Sequence, residues 1–463
     1  MINAHTHIFT INHVPNQFAK GLFWLGGLIT VSLIRAFYKL ILFFRKIRDF
    51  GNSFFLTKWI GKIVFKLLFF VLMWALRRLG LSSFNRFLSE ETKGIIDRYL
   101  RLLEYGEIPS GQLGVFQKLQ TYYPPKTKFV VLPMDLEYMG GGKPKENYYQ
   151  QLQQVINVKN GSEGCLIPFL FVDPRRITDP NDTIFTYDYI EEKLKSGDFE
   201  GIKIYPALGY WPFDWRLLPV YLLAIKYDVP ILTHCIEGLV HYRGNKKKEW
   251  YKHPFNNMSL KESHVKRYTT QFTHPLNYVI ITNKKYLTHY LNNVKGNLSN
   301  NTDLNLLELW KGLDLTNNVP ELAKLKLNLG HWGGGTEWDR YMGDTNYPVI
   351  NNLLGNLDTD FDKFQSAWYG LSWFGIINNL CMHPDYCFYT DISFTLHQEK
   401  YLNLLKVKMQ NPIMRKKILF GTDYYVVSQK ETEREFAIDV RGSLGEKDWK
   451  QISETNPKAY LSQ

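Results

Sequence analysis

CLIPFLFVDP, residues 165–174, runs almost unbroken through apolar side chains before it reaches Asp173 and Pro174. A strand with one wet face alternates apolar and polar residues, whereas an unbroken apolar run is what a strand covered on both faces requires, as in a parallel sheet. The same kind of run recurs along the chain: KFVVLPMDLE (128–137), GIKIYPAL (201–208), VPILTHC (229–235), LKLNLGHWGGG (325–335), CFYTDIS (387–393) and KILFGTDYY (417–425). A loop of Gly, Pro and aromatic residues follows each run, and then a longer helical stretch. INAHTHIF at residues 2–9 brings the set to eight.

Eight β/α units predict an α/β fold, a (β/α)8 TIM barrel, in which functional side chains stand at the carboxyl ends of the strands. A doubly wound open sheet also alternates strands with helices. It has no reason, however, to collect histidines and a carboxylate at five separate strand ends, and His5, His7, Lys203, His234, His331 and Asp423 fall at such ends. The barrel is therefore the expectation.

One unit is abnormal. More than a hundred residues separate the first strand, ending near residue 10, from the second near 128, where a barrel needs a helix and two short loops. We expect a barrel domain of residues 1–10 and 111–463, with residues 11–110 inserted at its mouth after strand one. Of the chain's net +12, +10 lies between residues 11 and 80, where eleven Lys and Arg face the single acid Asp49. The apolar stretches there are GLFWLGGLITVSLI (21–34), AFYKLILFF (36–44) and WIGKIVFKLLFFVLMWALRRLG (59–80), and their cations cluster on one side at helical spacing. The longest uncharged run is 14 residues, short of the roughly 18 that a bilayer span needs. Basic amphipathic helices are expected, either lying on an anionic membrane surface through residues 20–80 or packed on protein as a lid or homodimer interface.

Hydrophobic residues at 45% and aromatics at 15% supply a large core and exclude a disordered chain. Four scattered cysteines without CxxC spacing read as reduced thiols in a cytoplasmic protein, peripheral at the inner membrane face if the insertion binds lipid. No basic segment precedes an apolar one at the very start, so no cleavable signal is expected. The basic run NKKKEWYK (245–252) reads as a solvated loop face and the signatures of RNA- and DNA-binding folds are absent, so no nucleic-acid partner is expected.

His5 and His7, two residues apart on a strand, point to one side and can grip one ion. Imidazole suits zinc and other first-row divalent ions, and a catalytic site adds one or two ligands while leaving a position for water. His234 in PILTH and Asp423 in FGTD are the candidates to complete it.

With HTH at 5–7, Lys203 in GIKIYP, His234 in ILTHC, His331 in LGHWGG, Asp423 in LFGTDYY and the closing ISETNPKAYL, the chain resembles the metal-dependent amidohydrolase superfamily. The likeness is to its amidohydrolase-related branch, which also holds aminocarboxymuconate semialdehyde decarboxylase, and covers residues 1–10 and 125–463. The resemblance implies a divalent ion, zinc first, held by His5, His7, His234 and Asp423 and activating a bound water. It implies Asp423 as general base turned acid, and His331 as the group that orients water or stabilises oxyanion charge. Lys203 facing a cation must be carboxylated, paired with an acid, or held back for an anionic substrate group. One ion is favoured, and a carboxylated Lys203 bridging two is the alternative.

Arg175 after strand three is a candidate to hold a carboxylate of a small-molecule substrate, and Tyr205, Trp211 and Trp332 are candidates for an apolar wall. The expected function is a metal-dependent hydrolase cleaving an amide, ester or lactone bond. The alternatives are a non-oxidative decarboxylase or hydratase with the same constellation, and a membrane-associated barrel scaffold with little catalysis.

Overall fold

The computed structural model describes residues 1–18, 111–238, 240–260, 265–298, 303–343, 361–396, 399–424 and 433–463. Eight strands form within the eight apolar runs: β1 (Ile2–Thr6), β2 (Lys128–Val131), β3 (Leu166–Phe171), β4 (Gly201–Ile204), β5 (Ile231–His234), β6 (Leu327–Gly330), β7 (Phe388–Asp391) and β8 (Ile418–Leu419). All pair in parallel and in chain order, β1 to β8. The sheet closes on itself beyond β8, where Thr6 bridges Tyr424, Ala4 N donates to Phe420 O at 2.8 Å and Asp423 N donates to His5 O at 2.8 Å. The protein is a (β/α)8 barrel.

Helices cover its outside, among them α1 (Gly111–Gln120), α2 (Tyr148–Asn160), α3 (Tyr187–Lys195), α4 (Leu218–Lys226), α5 (Trp373–Met382), α6 (Glu433–Leu444) and α7 (Asn456–Leu461). Their starts are set locally by side chains that accept from the first free backbone N–H groups. Asn147 caps α2 in a reciprocal arrangement with Gln150, Thr186 caps α3 and Ser372 caps α5. The ISETNPKAYL segment ends in α7, which plugs the amino-terminal end of the barrel. Tyr460 and Leu461 join Ala4, Leu132, Phe169 and Leu232 in a buried floor, and the Tyr460 hydroxyl donates to Ile231 O at 2.9 Å. With the floor filled by apolar side chains, polar groups can gather only at the carboxyl ends of the strands.

β1 departs from plain alternation. Its register against β2 shifts between Asn3 and Thr6, so Ala4 belongs to the apolar floor and the adjacent His5 still faces the polar end. Two glycines make room for that ring. A Cβ on Gly421 would lie 2.8 Å from His5 Cβ, and one on Gly330 would lie 2.9 Å from Thr233 O and 3.3 Å from His5 Cε1. The Gly421→Ala variant is expected to lose about 1–3 kcal/mol of stability by overpacking, seen as a lowered thermal midpoint, and to displace the His5 ring.

Residues 11–18 do not leave the barrel. Ile11, Val14 and Phe18 are buried in the main core after a turn at Ile11–His13 capped by Thr10, so the described part of the 11–110 segment packs as barrel. The expected amphipathic helices of residues 20–80, and with them the membrane-surface, lid and dimer expectations, lie outside the described residues. Among the described residues no helix is long and apolar enough to cross a membrane.

Candidate metal centre

The carboxyl ends of β1, β4, β5, β6, β7 and the segment after β8 bring His5, His7, Lys203, His234, His331, Asp391 and Asp423 together, all buried. His7 Nδ1 lies 2.8 Å from Leu132 O. A carbonyl only accepts, so Nδ1 carries the proton and the neutral ring offers a bare Nε2. That Nε2 sits 3.1 Å from Asp423 Oδ1, and His5 Nε2 sits 3.7 Å from the same oxygen and has no hydrogen-bond partner.

The charge states agree with this picture. Burial pulls the His7 pKa below its ordinary value, with the Asp423 carboxylate opposing. Burial alone would raise Asp423, but the surrounding His7, His331 and His5 outweigh it and hold the carboxyl below the usual range. A neutral imidazole and a carboxylate at this separation point lone pairs at each other, an arrangement that lacks a cation between them. Donors about 2.1 Å from a tetrahedral ion stand about 3.4 Å apart, so the 3.1 and 3.7 Å separations suit one divalent ion held by His5, His7 and Asp423.

His234 is placed differently from the expected fourth ligand. Its Nδ1 is 3.0 Å from His331 Nε2 and its Nε2 is 3.1 Å from the Tyr205 hydroxyl, with the Tyr205 ring stacked on it at 4.2 Å. Among the described residues the clusters whose ligand atoms come within 4.8 Å of one another are His5–His7–Asp423 and His5–His331–Asp391, and His234 belongs to neither. Both nitrogens are engaged, so His234 extends the site as a hydrogen-bonded neighbour. Burial drives its pKa well below the ordinary value, with His331 and Lys203 adding to the effect, and burial brings His331 down to about 4.

Lys203 is fully buried with no hydrogen-bond partner on Nζ. Burial pushes its pKa down to about 7 against the opposing pull of Asp423 and Asp391. A half-neutral amine resolves the repulsion expected between a lysine and a cation, without an acid in contact.

Of the expected substrate contacts, Tyr205 borders the histidines and the others do not. Trp332 is fully buried, stacked on Phe374 at 4.9 Å and edge-on to Trp338, so it packs the core behind His331. Trp211 sits among Phe213, His253 and Phe272 in a separate aromatic cluster. Arg175 gives Nε and Nη2 to Asp173 at 2.8 and 2.6 Å and Nη1 to Tyr138 O at 2.9 Å. Its charge is neutralised within its own turn. Next to it Arg176 is buried against Asp135, Glu137 and Asp182, tying together the segments that follow β2 and β3.

Three further groups matter that carry no family-like motif. Asp391 and Ser393 hold His5 and His331, as set out below. Glu433, at the start of α6, is buried behind β1 and β8, where its Oε1 accepts from Tyr123 at 2.7 Å, Thr422 at 2.5 Å and Asn3 at 3.4 Å while Oε2 has no partner. Burial raises its pKa from 4.5 to about 7. An acid whose folded pKa is raised takes up a proton on folding, so its contribution is complete below the unfolded pKa and is lost as pH rises through the folded one. The wild type should therefore lose about 3 kcal/mol between pH 4.5 and 7 that Glu433→Gln does not lose, measured as the difference between their denaturation curves across that range.

The fold and this cluster define a TIM barrel with a buried histidine–carboxylate centre at the carboxyl ends of its strands. Solved structures similar to it include 5-carboxyvanillate decarboxylase from Sphingomonas paucimobilis, 10% identical, with a TM-score of 0.38 over 72% of this chain and 78% of that one. Another is 4-oxalomesaconate hydratase from Rhodopseudomonas palustris, 11% identical, TM-score 0.40, over 100% and 95%. A third is a manganese-bound 5-carboxyvanillate decarboxylase from Novosphingobium aromaticivorans, 12% identical, TM-score 0.40, over 81% and 85%. No protein-family model matches the chain, and no curated protein matches it.

Proposed function

We propose that this chain is a metal-dependent enzyme of the amidohydrolase type that hydrolyses an amide, ester or lactone bond of a small organic substrate. The observation that carries the reading is the convergence of the Nε2 atoms of His7 and His5 on the Asp423 carboxylate, at 3.1 and 3.7 Å, while the Nδ1 of each ring faces an oxygen acceptor. When bound there, a divalent ion such as zinc supplies Lewis acidity and acidifies water.

The chain's own groups do the rest. Asp423, held as a carboxylate, takes the proton of the attacking water and returns it to the leaving group. His331 and His234, neutral and linked at 3.0 Å, present fixed dipoles beside it, and the Tyr205 hydroxyl closes that line. Lys203, half neutral near pH 7, leaves the cationic side of the site unopposed and is competent to accept carbon dioxide as a carbamate, which is the route to a second ion.

A decarboxylase must anchor a substrate carboxylate, and the cation expected to do so, Arg175, is committed to Asp173 and the Tyr138 carbonyl. The ion itself would then be the cation that meets an acidic substrate, so the products decide between hydrolysis and decarboxylation. Screening small amides, esters, lactones and aromatic or unsaturated acids with the metal-loaded protein tests it. Released acid with amine or alcohol is expected, and carbon dioxide without any hydrolytic product would overturn the assignment.

A further inference from the structure

We infer that Asp391, at the carboxyl end of β7, is the positioning residue that decides which nitrogen the site histidines offer; the inference deepens the metal reading and rests on it. Its Oδ2 accepts from His5 Nδ1 at 3.0 Å and from Asn328 Nδ2 at 2.9 Å. Its Oδ1 accepts from the backbone N–H groups of His331 and Ser393, both at 3.1 Å, and from the Ser393 hydroxyl. Every contact is with a group that can donate, so the buried carboxylate is fully satisfied. It draws the His5 proton to Nδ1 and turns the Nε2 lone pair toward His7 and Asp423.

The same carboxylate orders a longer line. Because Ser393 Oγ donates to Asp391, it is left to accept, and His331 Nδ1 stands 2.9 Å from it. His331 Nδ1 also faces Ser393 O, an acceptor, at 3.3 Å. The His331 proton is thereby fixed on Nδ1, its Nε2 accepts from His234 Nδ1, and His234 Nε2 accepts from Tyr205. One charge at the end of β7 sets the direction of every hydrogen bond from Ser393 to Tyr205.

It also supports strained backbone. His331 and Trp332 lie at φ of +67° and +47°, a region costly for side chains with a Cβ. Asp391 takes the His331 N–H while Thr395 Oγ1 donates to His331 O at 2.9 Å, clamping that residue from both ends.

A second ion held by His5, His331 and Asp391 is the competing reading, since their ligand atoms also lie within 4.8 Å. The Ser393 hydroxyl fills that place, at 3.2 Å from His5 Nδ1 and 2.9 Å from His331 Nδ1 and hydrogen-bonded to Asp391. The cluster is a hydrogen-bond hub.

The test uses the full chain labelled with 15N-histidine and freed of metal, with His5 assigned by the signal lost in His5→Gln. Two-bond proton–nitrogen spectra should show His5 as the Nδ1–H tautomer in the wild type. In Asp391→Asn the side-chain amide replaces Oδ2 as a donor, so His5 should switch to Nε2–H, and zinc affinity measured against a competing chelator should fall about 10–100-fold. A wild-type His5 in the Nε2–H form would overturn the proposal without any variant, as would Asp391→Asn with unchanged tautomer and unchanged affinity. Two zinc ions per chain, one of them lost in His331→Gln, would establish the second-ion reading instead. Should the wild type take up no zinc at all, the metal reading fails while the tautomer result still decides the role of Asp391.

Discussion

Asp423→Asn is expected to lower turnover by about 10²–10⁴-fold and to weaken zinc binding. The two effects have one origin. In the wild type the Asp423 carboxylate meets the Nε2 atoms of His7 and His5 across 3.1 and 3.7 Å, so all three can turn lone pairs on one ion. An asparagine amide turns that contact into an N–H···N hydrogen bond to His7, which caps the lone pair the ion needs and removes the proton acceptor the reaction needs. Asp423 also sits at φ +57°, where asparagine is tolerated better than most residues, so the backbone does not oppose the change. Metal-free thermal midpoints and turnover measured on the same preparations separate this from simple damage. A folded variant that kept both its turnover and its zinc affinity would overturn the role of Asp423.

The barrel was legible because its signal is repetitive. Unbroken apolar runs such as CLIPFLFVDP can be satisfied only between two covering layers, and eight of them leave little topological choice. The members of the site that stand at strand ends, His5, His7, Lys203, His234, His331 and Asp423, were legible for the same reason. What a strand end does not state is what each group touches. His234 reads like a ligand, yet its two nitrogens are used by His331 and Tyr205. Arg175 reads like an anion anchor, yet Asp173, two residues earlier, takes its fork. Trp332 reads like a wall, yet the left-handed turn at His331 and Trp332 swings the indole back onto Phe374.

Asp391 and Glu433 were illegible for opposite reasons. Asp391 ends β7 within CFYTDIS, a run recognised as a strand, and its position at a barrel strand's carboxyl end was the signal that could have found it. Glu433 lies in a helix amid other acids, and only the chain's return past β1 buries it against Tyr123 and Asn3, residues far away in sequence.

Replacing both His5 and His7 by Ala is expected to abolish metal binding, seen as stoichiometric zinc or manganese in the wild type falling to background in the double variant. Two of the three converging donors vanish, and the remaining carboxylate is a single monodentate contact for an ion that needs several. Thermal shift gives an independent measure, because a ligand that binds only the folded state stabilises it by about 2.7 kcal/mol at 100 times its Kd. The wild type should therefore melt later with added zinc and the double variant should not. The single variants order the donors. His7 is held by one hydrogen bond to Leu132 O, whereas His5 is held by Asp391 and Ser393 and has Gly421 and Gly330 cleared around it. His5→Ala should thus cost more affinity than His7→Ala, since its ring is the more rigidly aimed of the two and its loss also removes one of the donors to the Asp391 carboxylate. Equal loss from both would mean that the orientation of His5 contributes nothing beyond the donor itself.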